Sequence, residues 1–148
     1  MESVIKIAKY TLWFCENKLG RAISNLQLQK FLYYEQGISL ALKKSELFAS
    51  EIKAWKYGPV VPDAYYWFND NMSNEIKGVE NTEDYISEDA RKIVEFVSKM
   101  LINMDPWDLV EQTHKEDPWK NTYIEGFNET INIIDIKEYF EKNYLKSE

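Results

Sequence analysis

The chain has 148 residues with 18 basic and 25 acidic side chains, which give it a formal net charge of −7. This length suits one domain with a buried core, and 45% hydrophobic with 15% aromatic residues excludes the composition of a disordered chain. The negative charge repels a phosphate backbone, so we expect this chain alone to bind no nucleic acid.

The single cysteine, Cys15, cannot form an internal disulfide, and we interpret it as a small hydrophobic core residue. No apolar run at the N-terminus is long enough for a signal peptide or a membrane span. These observations predict a cytoplasmic protein without membrane association.

The first two predicted elements are helices. Apolar residues recur at helical spacing from Val4 to Leu19, and Gly20 follows where a left-handed residue would end the helix. Ser24 and Gln27 have the spacing of a capping box at the start of the second helix. Gly37 gives another backbone room to approach that helix closely. Its expected buried face consists of Leu28, Phe31, Leu32, Ile38 and Leu42.

A change of period marks the next segment. Side chains alternate between two faces over residues 51–57, which predicts a short extended arm or small β-hairpin. Gly58 and Pro59 are expected to break this strand, because Pro59 has no amide donor. Pro62 then suits the first turn of a helix. The predicted buried face of that helix consists of Val61, Tyr65, Phe68 and Met72.

The second half of the chain predicts three further helices. Residues 73–85 lack periodicity and indicate a solvated connection, with a loose hairpin around Gly78. Ser87 caps the next helix, an Asp-Pro pair at 105–106 starts another, and Asp135 is the expected N-cap of the last. The helix after Ser87 has an apolar face of Ala90, Ile93, Val94, Val97, Met100, Leu101 and Met104. The fold class is therefore mainly α, as a compact single domain over residues 1–148.

The sequence lacks the residue clusters that enzymes and metal sites need. One His and one Cys cannot form the usual zinc ligand sets, and no glycine-rich phosphate loop or nucleophile elbow is present. His114 lies beside Glu116 and Asp117, but adjacent residues seldom orient a general base. We predict no catalytic residue, no metal and no cofactor, and we expect the His114 ring to hydrogen-bond backbone at a helix end.

Five aromatic residues and one lysine are the candidates for partner binding. The candidate set consists of Trp55, Lys56, Tyr57, Tyr65, Tyr66 and Trp67. Three of these are consecutive, so a helix cannot bury all of them against one layer, and at least one faces solvent or a partner. The alternative is that these side chains, with Tyr33 and Tyr34, belong to the core and place only their phenols at its rim.

Three separated motifs carry a resemblance to a known family. They are Leu28-Gln29-Lys30-Phe31-Leu32-Tyr33-Tyr34, Ala54-Trp55-Lys56-Tyr57-Gly58-Pro59-Val60, and Thr113-His114 followed by Glu116, Pro118 and Trp119. In this order they resemble the Panacea antitoxin domain, which also occurs in phage-associated GepA-like proteins. The resemblance implies an antitoxin that neutralises a protein toxin, typically encoded beside it, by direct contact. It also implies structural roles for Leu28, Gln29, Lys30, Tyr33, Tyr34, Gly37, Gly58, Pro59, Thr113, His114, Pro118 and Trp119.

Glu35 departs from the family pattern, which more often has a small residue at this position. It lies on the apolar face of its helix, where an unpaired carboxylate would cost several kcal/mol. We therefore expect either that a Lys or Tyr pairs with Glu35 or that this part of the face is open.

Other functions fit the same sequence. An adaptor that presents a bound protein to a protease shares the binding chemistry and differs only in the fate of its partner. A DNA-binding regulator would need a basic recognition helix, and none is present. A small enzyme that depends on His114 is the remaining alternative.

Overall fold

A computed structural model describes residues 1–69 and 74–145. Its helices are α1 (Val4–Asn17), α2 (Asn25–Lys43), α3 (Pro62–Trp67), α4 (Glu88–Leu101), α5 (Pro106–His114), α6 (Asp117–Lys120) and α7 (Ile133–Asn143). An antiparallel hairpin of β1 (Lys53–Trp55) and β2 (Gly58–Val60) connects α2 to α3. The prediction of a mainly α fold with a small hairpin is confirmed. Met72, on the predicted face of α3, lies outside the described residues.

Helix α2 forms the centre of the fold. It begins at the predicted capping box, in which the Ser24 side chain accepts from the Gln27 amide and the Gln27 side chain accepts from the Ser24 amide. All residues from 28 to 41 are buried, because α1, α4, α5, α7 and the hairpin pack around them. The polar side chains on this part of α2 must therefore find partners on the surrounding elements.

Two residues on the predicted apolar faces are exposed. Leu42 is 54% exposed, because the last turn of α2 extends past the helices that cover residues 28–41. Met100 is partly exposed, because the buried stripe of α4 is centred on Val94, Val97 and Leu101, and Met100 lies at its edge.

Strand β1 ends before Gly58, as predicted, but Gly58 and Pro59 are not a break, since both residues belong to the second strand, β2. Ala54 pairs with Pro59 and Trp55 with Gly58 in the antiparallel register. Pro59 is tolerated because alternate residues of a strand point their amide nitrogens away from the partner strand, so the missing N–H of Pro59 removes no hydrogen bond between β1 and β2. Within the described residues, β2 pairs with β1 along one edge. The nitrogen of Pro59 faces the other edge, so its missing N–H does not end the strand.

The outer edge of β1 is covered by the segment before α7. The Ala54 amide donates to the Glu129 carbonyl at 2.9 Å, and the Ile131 amide donates to the Ile52 carbonyl at 2.8 Å. The hairpin is therefore bonded on both sides of β1 and is fixed to the body of the protein.

One connection and the start of one helix also differ from their predictions. The segment 74–82 forms no hairpin; it is extended along α1, where the Thr82 hydroxyl donates to the Lys6 carbonyl at 2.7 Å. The last helix begins three residues earlier than expected, because the side chain of Asn132, and not that of Asp135, caps its first turn.

Gly37 of α2 makes room for an aromatic ring and not for the backbone we expected. A Cβ atom at this position would lie 2.5 Å from ring carbons of Phe140 on α7. We expect Gly37→Ala to lower the free energy of unfolding by about 1 to 3 kcal/mol, because the buried ring must move. Urea unfolding of Gly37→Ala, Phe140→Ala and the double variant checks this. With Phe140 removed, Gly37→Ala is expected to stabilise the helix by a few tenths to about 1 kcal/mol.

Glu35 is fully buried, and among the described residues it is paired with neither a Lys nor a Tyr. The Thr11 hydroxyl lies 2.9 Å from Glu35 Oε2, and Oε1 has no hydrogen-bond partner within the described residues. Burial raises the pKa of Glu35 to about 8. The carboxyl is therefore mostly protonated at neutral pH and can donate to Thr11, whose own hydroxyl donates to the Ile7 carbonyl at 3.0 Å.

This raised pKa predicts the direction of a pH dependence. Between pH 4.5 and about 8 the folded state keeps a proton on Glu35 that the unfolded chain has released. Stability therefore falls as the pH rises through this window, by up to roughly 1.4 kcal/mol per pH unit. We expect Glu35→Gln to remove this dependence and to be more stable than the unchanged protein at pH 8. Urea unfolding of both proteins from pH 5 to 8 measures it, and parallel curves would contradict the assignment.

Candidate protein-binding site

A buried lysine holds the hairpin against α2 and α5. Lys30 exposes none of its surface, and its ammonium donates to the Pro59 carbonyl at 3.1 Å. Gly58 has φ +113°, and a Cβ there would lie 2.6 Å from Lys30 Cε and 2.8 Å from Thr113 Oγ1. Only glycine meets both the backbone and the space requirement. Burial lowers the pKa of Lys30 to about 7.

Amide side chains of α2 hold the connection from β2 to α3. Gln29 Oε1 accepts from the Val61 amide at 2.9 Å, and Gln29 Nε2 donates to Asn25 Oδ1 at 2.8 Å. Asn25 Nδ2 in turn donates to the Tyr65 carbonyl at 3.0 Å. These bonds fix the position of α3, and with it the direction in which its tyrosines project.

Trp119 ties the late motif to the hairpin. Its indole N–H donates to the Trp55 carbonyl at 2.7 Å, and its ring is stacked between those of His114 and Tyr123, at centroid distances of 3.9 and 4.7 Å. Pro118 precedes it in the first turn of α6 and is also buried. The stack therefore joins α5 to α6 and the residue Tyr123 that follows it, and the Trp119 hydrogen bond ties this stack to the hairpin.

His114 has the environment of a structural residue. Burial lowers its pKa, while a hydrogen bond to the Lys56 backbone acts in the opposite direction. Its Nε2 atom is buried and has no partner within the described residues. The neighbouring Glu116 carboxylate does not orient the imidazole, because three tyrosines engage it.

These tyrosines surround Glu116 in the core. Glu116 Oε1 accepts from the Tyr33 hydroxyl at 2.9 Å, and Oε2 accepts from those of Tyr34 and Tyr144 at 3.0 and 2.6 Å. Burial raises the pKa of Glu116, and the three hydroxyls counteract this effect. The carboxylate thereby joins α2, the α5–α6 junction and α7, and Tyr33 and Tyr34 belong to the core and not to a binding surface.

Over this frame lies a group of five aromatic rings that we call the aromatic surface: Trp55, Tyr57, Tyr65, Tyr66 and Trp107. The rings meet edge to face in two groups. In the first, the centroid distances are 5.2 Å for Trp55 and Tyr65 and 5.3 Å for Tyr65 and Tyr66; in the second, Tyr57 and Trp107 are 5.4 Å apart. Tyr57, Tyr66 and Trp107 are 47, 63 and 56% exposed. The rings therefore support one another while presenting large apolar faces to solvent.

A groove of about 450 Å³ runs between the aromatic surface and α2. Its lining is mainly apolar and includes Trp55, Tyr57, Val60 and Trp107, while Lys30 lines its α2 side. Concave apolar sites with a few polar groups are the usual form of binding sites in proteins.

The aromatic surface and Lys30 lie in the part of the chain that matches a known protein family. The family described as antitoxin SocA-like, Panacea domain, matches residues 28–120. The chain belongs to this family. It is also similar to Antitoxin SocA of Caulobacter vibrioides (strain NA1000 / CB15N), with 32% identity over 109 residues that cover 66% of this chain and 58% of that protein. The chain thus spans less than two thirds of the length of this relative. No solved structure matches.

This Panacea domain brings together five of the six residues that we predicted for partner binding. Trp55, Lys56, Tyr57, Tyr65 and Tyr66 lie on or beside the aromatic surface. Trp67 lies apart, with its ring 5.6 Å from the Lys9 ammonium of α1.

Trp107 was not among the residues predicted for partner binding. Its position in the first turn of α5, away from the buried face formed by Leu109 and Thr113, was the available signal. An aromatic residue off the apolar face of a helix indicates a contact outside that helix's own core packing.

Metal and membrane signals are absent from the described part of this Panacea domain. In residues 1–69 and 74–145, no group of three or more His, Cys, Asp or Glu side chains is close enough to hold a metal ion. Within the same ranges, no helix has both the length and the apolar character that crossing a membrane requires.

Proposed function

We propose that this chain acts in the cytoplasm as an antitoxin that neutralises a protein toxin, encoded beside it, by direct contact through the aromatic surface. Its membership of the Panacea family supports an antitoxin role. The observation that carries the proposal is the aromatic surface itself, with three strongly exposed rings beside a groove. The chain acts by binding and not by catalysis.

The rigidity of the hairpin supports binding at this surface. Lys30, Gln29 and Trp119 each hydrogen-bond the backbone of the hairpin or of the residue that follows it. A preorganised surface loses little conformational entropy when a partner binds. Trp and Tyr are also the residues that most often dominate the energy of protein interfaces.

Charge supports a basic partner. The chain carries a net charge of −7, and complementary potentials speed the encounter of two proteins and fix their orientation. We therefore propose a steric mechanism, in which the acidic antitoxin covers the working surface of a basic toxin.

Co-expression tests the proposal. The neighbouring gene product is expressed alone and together with this chain, growth is followed, and the tagged toxin is purified and its amount measured. Rescue of growth with a stoichiometric complex supports neutralisation by binding. A neighbour that is harmless alone, or toxic but not bound, contradicts the proposal for that pair. Rescue with loss of the toxin that depends on a host protease indicates the adaptor mechanism instead.

The aromatic surface gives a sharper test. We expect Trp107→Ala to weaken toxin binding by at least about 2 kcal/mol, because an exposed Trp at an interface centre is a typical hot spot. Its melting temperature should change little, since the ring is largely exposed. Phe96→Ala is the matched control, because Phe96 is a similarly exposed ring on α4. Calorimetry of both variants with the toxin decides, and equal losses would exclude the aromatic surface as the interface.

A further inference from the structure

A buried amine with no carboxylate partner among the described residues lines the groove beside the aromatic surface. Lys30 is fully buried, and its ammonium carries three N–H donors. Within the described residues, the Pro59 carbonyl is the one acceptor at hydrogen-bonding distance from this ammonium. Burial alone lowers its pKa, with no contribution from a nearby carboxylate. Buried charges in proteins are normally paired, and a carboxylate beside Lys30 would stabilise the charged form of its amine.

The other polar side chains that line the groove do not share this deficit. Asn25 and Gln29 are engaged with each other and with backbone groups of Val61 and Tyr65. Lys56 lines the same groove but is exposed, so water solvates its ammonium. Of these four side chains, Lys30 is therefore the one that is buried with fewer hydrogen-bond acceptors than its amine can use.

We propose that the groove binds an acidic side chain of the toxin, with its carboxylate bonded to the Lys30 ammonium and the apolar atoms around it packed against Trp55, Tyr57 and Trp107. This inference rests on the proposed function and adds the chemistry that the site selects. A carboxylate supplies both the missing charge and the missing acceptor, and apolar walls strengthen such a bond by excluding water. Because Lys30 exposes no surface in the free chain, this contact requires the groove wall to shift when the toxin binds.

The charge of the whole chain makes this contact selective. A net charge of −7 favours a basic partner as a whole, whereas the groove itself is lined by the two lysines Lys30 and Lys56. A partner must therefore place one acidic side chain opposite the groove within an otherwise basic surface. Such a mixed requirement rejects proteins that are merely basic.

Small aromatic probes test the groove without the toxin. The ¹⁵N-labelled chain is titrated with indole-3-acetate and with its neutral analogue indole-3-acetamide, and the indole N–H signals of Trp55 and Trp107 are followed by NMR. We expect saturable binding of the acid that is at least tenfold tighter than that of the amide. Equal affinities, or no saturable binding of either probe, would overturn the inference.

Two lysine variants locate the preference. Lys30→Met keeps the length of the side chain and should abolish the preference for the acid, whereas Lys56→Met, on the same groove, should retain it. A preference that disappears in Lys56→Met would overturn the inference. If Lys30→Met does not fold, the comparison of acid with amide in the unchanged chain and in Lys56→Met still decides.

The third test uses the complex of this chain with the toxin. Double-mutant cycles between Lys30→Met and Asp→Asn or Glu→Gln variants of the toxin should find coupling at one acidic residue, and coupling at none would overturn the inference. Probe binding that depends on Lys30, together with failed co-expression, would reject the antitoxin proposal but retain the carboxylate site. Successful co-expression without a preference for the acid would reject this inference alone.

Discussion

Replacing Trp119 with alanine is expected to lower the free energy of unfolding by about 3 to 5 kcal/mol, the usual cost of truncating a large buried ring. The ring is 9% exposed, and its removal breaks two stacking contacts and the hydrogen bond to the Trp55 carbonyl. Losing this bond also leaves a backbone carbonyl of the hairpin without its donor. Urea unfolding followed by circular dichroism measures the effect.

Trp67→Ala is the matched control for this experiment. Trp67 is 60% exposed and contacts the Lys9 ammonium, so its truncation should cost less than about 1 kcal/mol. His114→Ala should fall between the two variants, because it removes one stacking partner of Trp119. Unchanged stability of Trp119→Ala together with lost toxin binding would make Trp119 part of the interface and would contradict its structural role.

Glu116→Ala is expected to cost about 3 kcal/mol or more, because it leaves three tyrosine hydroxyls without their shared acceptor. Each buried donor that loses its partner costs about 1 to 3 kcal/mol. The Tyr34 hydroxyl keeps a bond from Gln112 Nε2 at 2.8 Å, but it then has no acceptor for its own proton. The loss is measured by chemical unfolding at neutral pH.

Glu116→Gln and Glu111→Ala are the controls. Glutamine keeps one acceptor oxygen, so its cost should be clearly smaller than that of alanine. Glu111 lies nearby on α5 but is exposed, and its removal should change stability by less than about 0.5 kcal/mol. Equal stability of the two Glu116 variants would show that the hydrogen bonds to this carboxylate do not stabilise the fold.

Helix starts were predictable because their signals are local. The Ser24 capping box and the Asp105-Pro106 start each depend on bonds between residues two or three positions apart. The predicted N-cap at Asp135 was wrong because Asn132, three residues earlier, is an equally good cap, and local chemistry does not rank the two.

The buried face of a helix was less predictable where other elements cover the helix on all sides. Residues 28–41 of α2 are buried all round, so the periodic pattern indicated a helix but not which polar residues would be enclosed. Accordingly, the partner of Glu35 in the part of the chain that the structure describes is Thr11 and not a Lys or Tyr, and Gly37 meets the ring of Phe140 from a helix about one hundred residues later.

The sequence by itself determined the family, the mainly α fold with its hairpin, and most of the aromatic residues beside the groove. The tertiary structure alone decided which of these side chains act together. Tyr57 meets Trp107, and Lys30 lies beneath Gly58 while Lys56 is exposed, although the two lysines have the same chemistry. The physical reason is that burial and ring contacts depend on packing between distant segments, whereas hydrophobic period and capping report only on neighbouring residues.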